Sequence, residues 1–329
     1  MSFIEDDESE IITGADSFNY QCTIPKSYVH RAVIGEVFLT DIRKIHDNKY
    51  ITAGYLPKSH IYFNDLPYKN SADRRYDAIL LLEMCRQTSI YVTHNFFSVP
   101  YSAKFVFDDA DFILFESDIP YKPECSNAIV EVNIIERKFR KSALTGLIFR
   151  MDVYVDGRYC AQKIMNISWM DERKWHRLRH QRSVECHDTT TIQAASTHEV
   201  GRQLPLNVVI GSAGINECEV ITSLIVDQNH PSIFDHPLDH VPGMLLIEAC
   251  RQTALLVMHN HLGKQSFDLV INRYSIQFRQ FCEFCLPVYC HVRLEDIYLP
   301  EGNKNTVIPV KISQGEKIVS SAELTINVK

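Results

Sequence analysis

The chain has 329 residues, 45% of them apolar and 23% charged, with a formal net charge of −7 and a pI near 6.1. That composition belongs to a folded globular protein long enough for two domains. It argues against a nucleic-acid binder, whose footprint is basic, and no apolar run reaches the ~20 residues that cross a bilayer.

The first ten residues are acidic, with Asp6, Asp7, Glu8 and Glu10, and lack the basic and apolar regions of a secretory signal. A cytoplasmic protein is therefore expected. Strand-forming residues follow at Val33 to Leu39, then a polar loop at Leu66 to Arg75. A helix is predicted from Asp77 to His94, with Leu80, Leu81, Met84, Thr88 and Tyr91 at helical spacing. It is apolar on nearly all sides, so it belongs in a core. Strands are predicted at Phe105 to Phe107, Ala128 to Ile134, Thr145 to Val155 and Arg158 to Met165, with Asp156-Gly157 as a hairpin turn.

Trp169 to Gln193 is charged, with a helical stretch from Met170 to Arg179. It gathers Arg173, Arg177, Arg179 and Arg182 with His176, His180 and His187. A solvated linker is the favoured reading over a basic surface for an acidic partner, and Ser183 to Ser196 reads as flexible. The earlier pattern then returns. A strand is predicted at Leu206 to Ile210 and a buried helix from Gly243 to His259. Further strands are expected at Phe267 to Ile271, Ser275 to Phe281, Pro287 to Leu294, Val307 to Ser313 and Lys317 to Val328, with Gln314-Gly315-Glu316 as the last turn.

The return is a repeat. Glu83-Met84-Cys85-Arg86-Gln87-Thr88 recurs 165 residues later as Glu248-Ala249-Cys250-Arg251-Gln252-Thr253. Val29-His30-Arg31 lies on Val200-Gly201-Arg202, and His60, Phe63 and Asp65 on His230, Phe234 and Asp235. A duplication of this length reports architecture first. Each unit has one buried helix and an otherwise antiparallel sheet, an α+β arrangement. The predicted organisation is an N-terminal extension (1–22), a first domain (23–168), a linker with a short helix (169–197) and a second domain (198–329).

Ten cysteines invite a metal or disulfide reading, and Cys282, Cys285 and Cys290 cluster most tightly. A fourth ligand at metal spacing is missing, and Cys85 and Cys250 sit inside predicted helices, where free cysteine acts as a small apolar residue. Reduced, structural cysteines are expected, with no metal and no cofactor.

The sharpest constellation is Phe234-Asp235-His236-Pro237-Leu238-Asp239-His240-Val241-Pro242-Gly243, running into the helix that carries Glu248. A helix start offers free N–H groups and a positive dipole end, and Gly243 lets a ligand approach that backbone. The site can polarise a thioester carbonyl or hold an oxyanion, with a nearby His or Glu as acid or base. Against this, an Asp before a helix is a common cap. Glu83 with Arg86, and Glu248 with Arg251, could be internal salt bridges three residues apart.

At these residues the chain resembles the A-factor biosynthesis (AfsA-type) hotdog family. The resemblance rests on His236 through Gln252, on Val29-His30-Arg31, on Glu36 through Asp41, on Glu83 with Arg86-Gln87, and on Trp169-Met170 with Leu178-Arg179. It implies two tandem hotdog domains, each an antiparallel sheet wrapped around one helix. It also implies an acyltransferase of γ-butyrolactone signal biosynthesis, a branch of bacterial secondary metabolism. The β-ketoacyl group would pass from an acyl carrier protein, or CoA, to the hydroxyl of dihydroxyacetone phosphate.

By likeness to hotdog dehydratases, the His236/His240 loop would face Glu83 across the two units, not only its own Glu248. Glu83, Glu248, His236 and His240 are then the candidate catalytic residues, with Glu83 or His240 taking the proton. Arg86, Gln87, Asp235, Asp239, Gly243, Arg251 and Gln252 are the candidate substrate-binding residues. The first loop departs from this pattern: it has His60 and Asp65 but no His pair. The alternatives are a 3-hydroxyacyl-thioester dehydratase or isomerase, and a non-catalytic acyl-binding protein.

Overall fold

The structure is a computed structural model that describes residues 18–116, 119–180, 192–284, 286–300 and 305–329. Arg182, His187, Cys285, the first seventeen residues and residues 181–191 of the expected linker lie outside them.

Among the described residues, twelve antiparallel strands form one continuous sheet. The first half supplies β1 (Leu39–His46), β2 (Lys49–Tyr55), helix α1 (Ala78–Phe97), β3 (Lys104–Leu114), β4 (Asn127–Arg140), β5 (Ala143–Val155) and β6 (Arg158–Met170). Helix α2 (Glu172–His180) follows. The second half supplies β7 (Gly214–Ile215), β8 (Glu219–Ser223), helix α3 (Gly243–Leu262), β9 (Leu269–Phe278), β10 (Val288–Arg293), β11 (Asn305–Gln314) and β12 (Lys317–Val328). Read from its outer edge inward, the first half runs β1-β2-β4-β5-β6-β3 and the second β7-β8-β10-β11-β12-β9. The orders are equivalent, so the halves are related by an internal pseudo-twofold. They join where β3 pairs with β9, Asp109 opposite Gln277 through Ile113 opposite Arg273.

Both long helices are buried almost all round, as their uniform apolarity requires. One apolar core runs through both halves, and Phe112 of β3 and Tyr274 of β9 contribute to it at the join. Asp156 and Gly157 both adopt positive φ and close the β5–β6 hairpin. Gly315, also at positive φ, closes β11–β12.

Several expectations need correction. Val33 to Leu39 is no strand: Ile34–Glu36 is a 3-10 turn, and β1 begins only at Leu39. The same holds at Leu206 to Ile210, where Pro205–Asn207 is a 3-10 turn. The repeated glutamine explains both. Gln87 accepts from Phe38 N at 3.0 Å and donates to Glu36 O at 2.7 Å. Gln252 does likewise with Val209 N and Asn207 O, at 2.8 and 2.7 Å. A side chain stands where a neighbouring strand would supply those partners. The repeated threonines fasten the next strand, Thr88 to Thr52 at 3.0 Å and Thr253 to Thr222 at 2.9 Å.

The segments predicted at Phe267 to Ile271 and Ser275 to Phe281 form one strand, β9. Residues 192–196, expected to be flexible, hydrogen-bond to the second half through Ala195 N and Ile210 O at 3.0 Å. Helix α2 is docked through Trp175, which is buried, while residues 172–174 and 176–178 are exposed. Every described cysteine is free, and burial pushes the Cys85 thiol up to about 12, which leaves it inert as a nucleophile.

Candidate active site

A cavity of about 920 Å³ lies between α1 and the loop that precedes α3. Glu83, Arg86 and Ile90 come to it from α1, and His236, Asp239 and His240 from the loop. Deeper walls come from Phe107, Ala110 and Met165 of the first sheet. The His loop of the second unit and the helix carboxylate of the first therefore share one chamber.

Glu83 is fully buried. Its Oε1 accepts from Arg31 Nη2 at 2.7 Å, Gln87 Nε2 at 2.8 Å and Arg86 Nη2 at 2.9 Å, and its Oε2 accepts from Arg86 Nε at 2.7 Å. Burial alone would raise the pKa, but Arg31 and Arg86 outweigh it and hold the carboxyl at about 2. Such a carboxylate is an anchor for cations and a weak base. Arg31 also spans the halves, donating from Nη1 to Asp235 Oδ1 at 2.9 Å, while Ala32 N donates to Asp235 Oδ2 at 2.8 Å.

The two histidines are each set by an aspartate. His236 Nδ1 lies 2.7 Å from Asp235 Oδ1 and His240 Nδ1 lies 2.6 Å from Asp239 Oδ1. With the ionised aspartates taking Nδ1–H, each Nε2 is the basic nitrogen of the neutral ring. Neither Nε2 has a hydrogen-bond partner among the described residues. Asp239 is braced further by Trp175 Nε1 at 2.8 Å and by Arg179 at 3.3 Å. Its burial opposes ionisation, yet His240, Trp175 and Arg179 hold it at about 2. His240 also packs edge-on against Phe281, ring centroids 4.9 Å apart.

The helix starts differ. Asp77 caps α1 by accepting from Ile79 N at 3.0 Å. At α3 the cap position is Pro242, with no side-chain acceptor, and Gly243 and Met244 line the cavity. The open N–H groups and dipole end of a 20-residue helix thus face the chamber. Gly243 has a packing role as well, since a Cβ there would meet Phe278 Cζ at 3.2 Å.

The pseudo-equivalent chamber around Glu248 is filled. Glu248 accepts from Arg202 Nε at 2.9 Å, Gln252 Nε2 at 2.6 Å and Tyr62 Oη at 3.1 Å, and is fully buried. Arg251 turns away to Asp77 Oδ2 at 2.6 Å. The void nearby is about 50 Å³ and does not reach Glu248. Glu248, Arg251 and Gln252 are therefore not brought to the cavity, and Gln87 and Gln252 are consumed by framework bonds. The register of the repeat shows why. Tyr62 stands where the open half has Ser232, Arg75 where it has His240, and Asp77-Ala78 where it has Pro242-Gly243.

Sequence reasoning missed four wall residues. Arg31 was visible only as a repeated arginine, paired with Arg202. Trp175 belonged to a helix read as linker. Lys163 sits on the inward parity of β6 between Ala161 and Met165, an ammonium where apolar side chains are due. His30 lines the cavity with Nε2 2.8 Å from His94 Nε2, and burial, then His94, lowers it to about 3. Two wall atoms, Arg31 Nε and Ser232 Oγ, are buried with no partner among the described residues. Away from the cavity, His198, Glu199 and His259 bring ligand atoms within 4.8 Å of one another on a partly exposed surface.

The family model of the A-factor biosynthesis hotdog domain matches residues 15–171 and 184–328. The 2-oxo-3-(phosphooxy)propyl 3-oxoalkanoate synthase of Streptomyces virginiae is 29% identical over 239 residues, 70% of this chain and 76% of that protein. The enzyme of the same name from Streptomyces coelicolor is 28% identical over 235 residues, 71% of this chain and 72% of its own. The 12:0-ACP thioesterase of Umbellularia californica shares the fold, with a TM-score of 0.51 at 10% identity over 85% of this chain and 94% of its own. With both halves matched by the family model and a doubled sheet around two helices, the chain belongs to the A-factor biosynthesis hotdog family.

Proposed function

We propose that the chain is an acyltransferase that moves a β-ketoacyl group from a carrier-bound thioester to the hydroxyl of dihydroxyacetone phosphate. The product is a 2-oxo-3-(phosphooxy)propyl 3-oxoalkanoate, the compound named in its relatives. The observation that carries the reading is the chamber of about 920 Å³ between α1 and the loop before α3. It combines an aspartate-set histidine, an uncapped helix start and an arginine beside a buried carboxylate.

His240 Nε2 takes the proton as the triose hydroxyl attacks the thioester carbon. The C–O bond forms and the carbonyl oxygen becomes an oxyanion, held by the N–H groups of Gly243 and Met244 at the start of α3. The intermediate collapses, the C–S bond breaks, and the imidazolium returns the proton to the leaving thiolate. Asp239 stabilises the imidazolium, and His236, set the same way by Asp235, flanks it. Arg86 meets the phosphate through Nη1, since Nε and Nη2 are committed to Glu83. Glu83 acts through Arg31 and Arg86 as a positioning residue. A dehydratase would ask Glu83 to donate a proton, which a carboxyl held at about 2 does not carry at neutral pH.

The test is intact-protein mass spectrometry of a β-ketoacyl carrier protein incubated with the enzyme, with and without dihydroxyacetone phosphate. The acyl mass should leave the carrier only when the triose is present. Deacylation without triose would make the chain a thioesterase. Loss of water from a 3-hydroxyacyl carrier would make it a dehydratase.

A further inference from the structure

Lys163 reaches the cavity from β6, opposite the first turns of α1, and is 1% exposed. Its Nζ has one hydrogen bond among the described residues, a long one of 3.4 Å to Leu82 O. No carboxylate lies within salt-bridge distance of it among the described residues. Around it the wall is apolar, with Leu82, Ala110 and Met165. An ammonium buried with so little compensation is costly, and a methionine or leucine would fill the space more cheaply. Burial lowers its pKa to about 8, so near neutral pH it still carries its proton. Its side chain lines the chamber.

The placement selects among the substrate's polar groups. Leu82 O belongs to the residue before Glu83, so Lys163 faces the same helical turn as the reacting end of the chamber. Beyond it lie Phe107 and Ile90, which suit a hydrocarbon tail. The phosphate dianion is the most strongly hydrated group of the acceptor, and Arg86, the more exposed cation, serves it nearer solvent. What remains is the oxygen at C3 of the acyl donor, two carbons from the thioester carbon. It is a neutral acceptor that needs little desolvation and one good donor.

We infer that Lys163 forms the subsite for the 3-oxo oxygen and makes the enzyme select 3-oxoacyl over saturated thioesters. The inference rests on the transferase reading. It assigns donor selection to a side chain on the sheet, separate from the His240 chemistry and from the phosphate contact.

The experiment compares wild type with Lys163→Met and Lys163→Gln, using 3-oxooctanoyl and octanoyl carrier proteins as donors and dihydroxyacetone phosphate as varied acceptor. In wild type the 3-oxo donor should be preferred. In Lys163→Met the ratio of kcat/KM for the two donors should fall by at least about 10-fold, the loss of one charged hydrogen bond. The KM for the triose should not move. Lys163→Gln, which keeps a neutral donor, should fall between. An unchanged ratio, or an equal loss with both donors, would overturn the assignment. A raised KM for the triose would do so too, by making Lys163 part of the phosphate site. A wild-type enzyme that transfers neither donor would instead overturn the transferase reading, and the subsite with it.

Discussion

Lys163→Met should make the protein more stable at neutral pH while weakening its discrimination between donors. The ammonium ordinarily titrates at 10.5 and is lowered by burial to about 8. At about 1.4 kcal/mol per pH unit, that difference corresponds to ~3 kcal/mol of burial cost at pH 7. Methionine removes this cost and loses only the long bond to Leu82 O, worth about 1 kcal/mol at most. The net gain is ~2 kcal/mol. An unfolding entropy of about 2.1 cal/mol/K per residue over this chain converts it to a rise in Tm of roughly 3 °C. The pH dependence separates this cause from better packing. Below about 8 both folded and unfolded lysine are charged, and the penalty is complete. Between 8 and 10.5 the folded state sheds its proton first, so wild-type stability climbs with pH. By pH 10 the two proteins should melt together. Differential scanning calorimetry at pH 7 and pH 10 measures both limbs. A variant less stable than wild type at pH 7, or a gain that persists unchanged at pH 10, would refute the reasoning.

Three further outcomes follow from the site. His240→Asn should lower kcat by about 10²–10⁴-fold with little change in donor KM; near-normal turnover in a carrier-discharge assay would move the base to His236. Glu83→Gln and Glu248→Gln should each cost ~3–5 kcal/mol, because each takes a buried carboxylate away from the guanidinium groups bonded to it, but at matched folded fraction only Glu83→Gln should raise the KM for the triose. Glu83 has a folded pKa of about 2 against an ordinary 4.5, so its contribution is complete above 4.5 and is lost as pH falls toward 2. Urea melts between pH 3 and 7 should show a flatter acid limb in Glu83→Gln, and parallel limbs would contradict the assignment. Ser232→Tyr, which copies Tyr62 into the open half, should fill the mouth beside Glu83 and abolish binding of a fluorescent acyl probe; retained binding would show that Tyr62 is not what closes the other chamber.

The parts of the fold that local chemistry dictates were legible. Both helices appeared because unbroken apolar residues at 3.6 spacing call for a buried helix, and the hairpin at Asp156-Gly157 appeared because few residues accept positive φ. Val33 to Leu39 misled because its β-branched and aromatic residues suit a strand, while Phe38 N and Glu36 O are satisfied by the Gln87 side chain and not by a neighbouring strand. The site was half legible. The His236/His240 loop and Glu83, which line the cavity, stood out because a His-Asp pattern before a helix and a carboxylate inside one are both rare. Arg31 was not, because its meaning lies in a contact with Asp235 across 204 residues of sequence. Lys163 left only a parity signal, one charged residue on the inward row of a strand, which becomes chemical only once the cavity beside it is known.

The repeat also changes meaning when its two copies are compared atom by atom. Most of what it holds in common is framework: Arg31 and Arg202 neutralise the helix carboxylates, Gln87 and Gln252 fasten the chain before the first strand, and the threonines fasten the next. None of these groups distinguishes an open chamber from a filled one. The distinction comes from positions where the copies differ. Ser232 in place of Tyr62 empties the volume beside the carboxylate. Pro242-Gly243 in place of Asp77-Ala78 uncaps the helix and frees its N–H groups. His240 in place of Arg75 supplies an imidazole with an acceptor nitrogen, where a guanidinium has only donors. Each change alone would be inert: a histidine facing a filled chamber meets no substrate, and an uncapped helix against a tyrosine plug meets no oxyanion. On the proposed mechanism, activity rests on a coincidence of three local differences on a duplicated frame, while the buried charges of the closed half bond across the two halves.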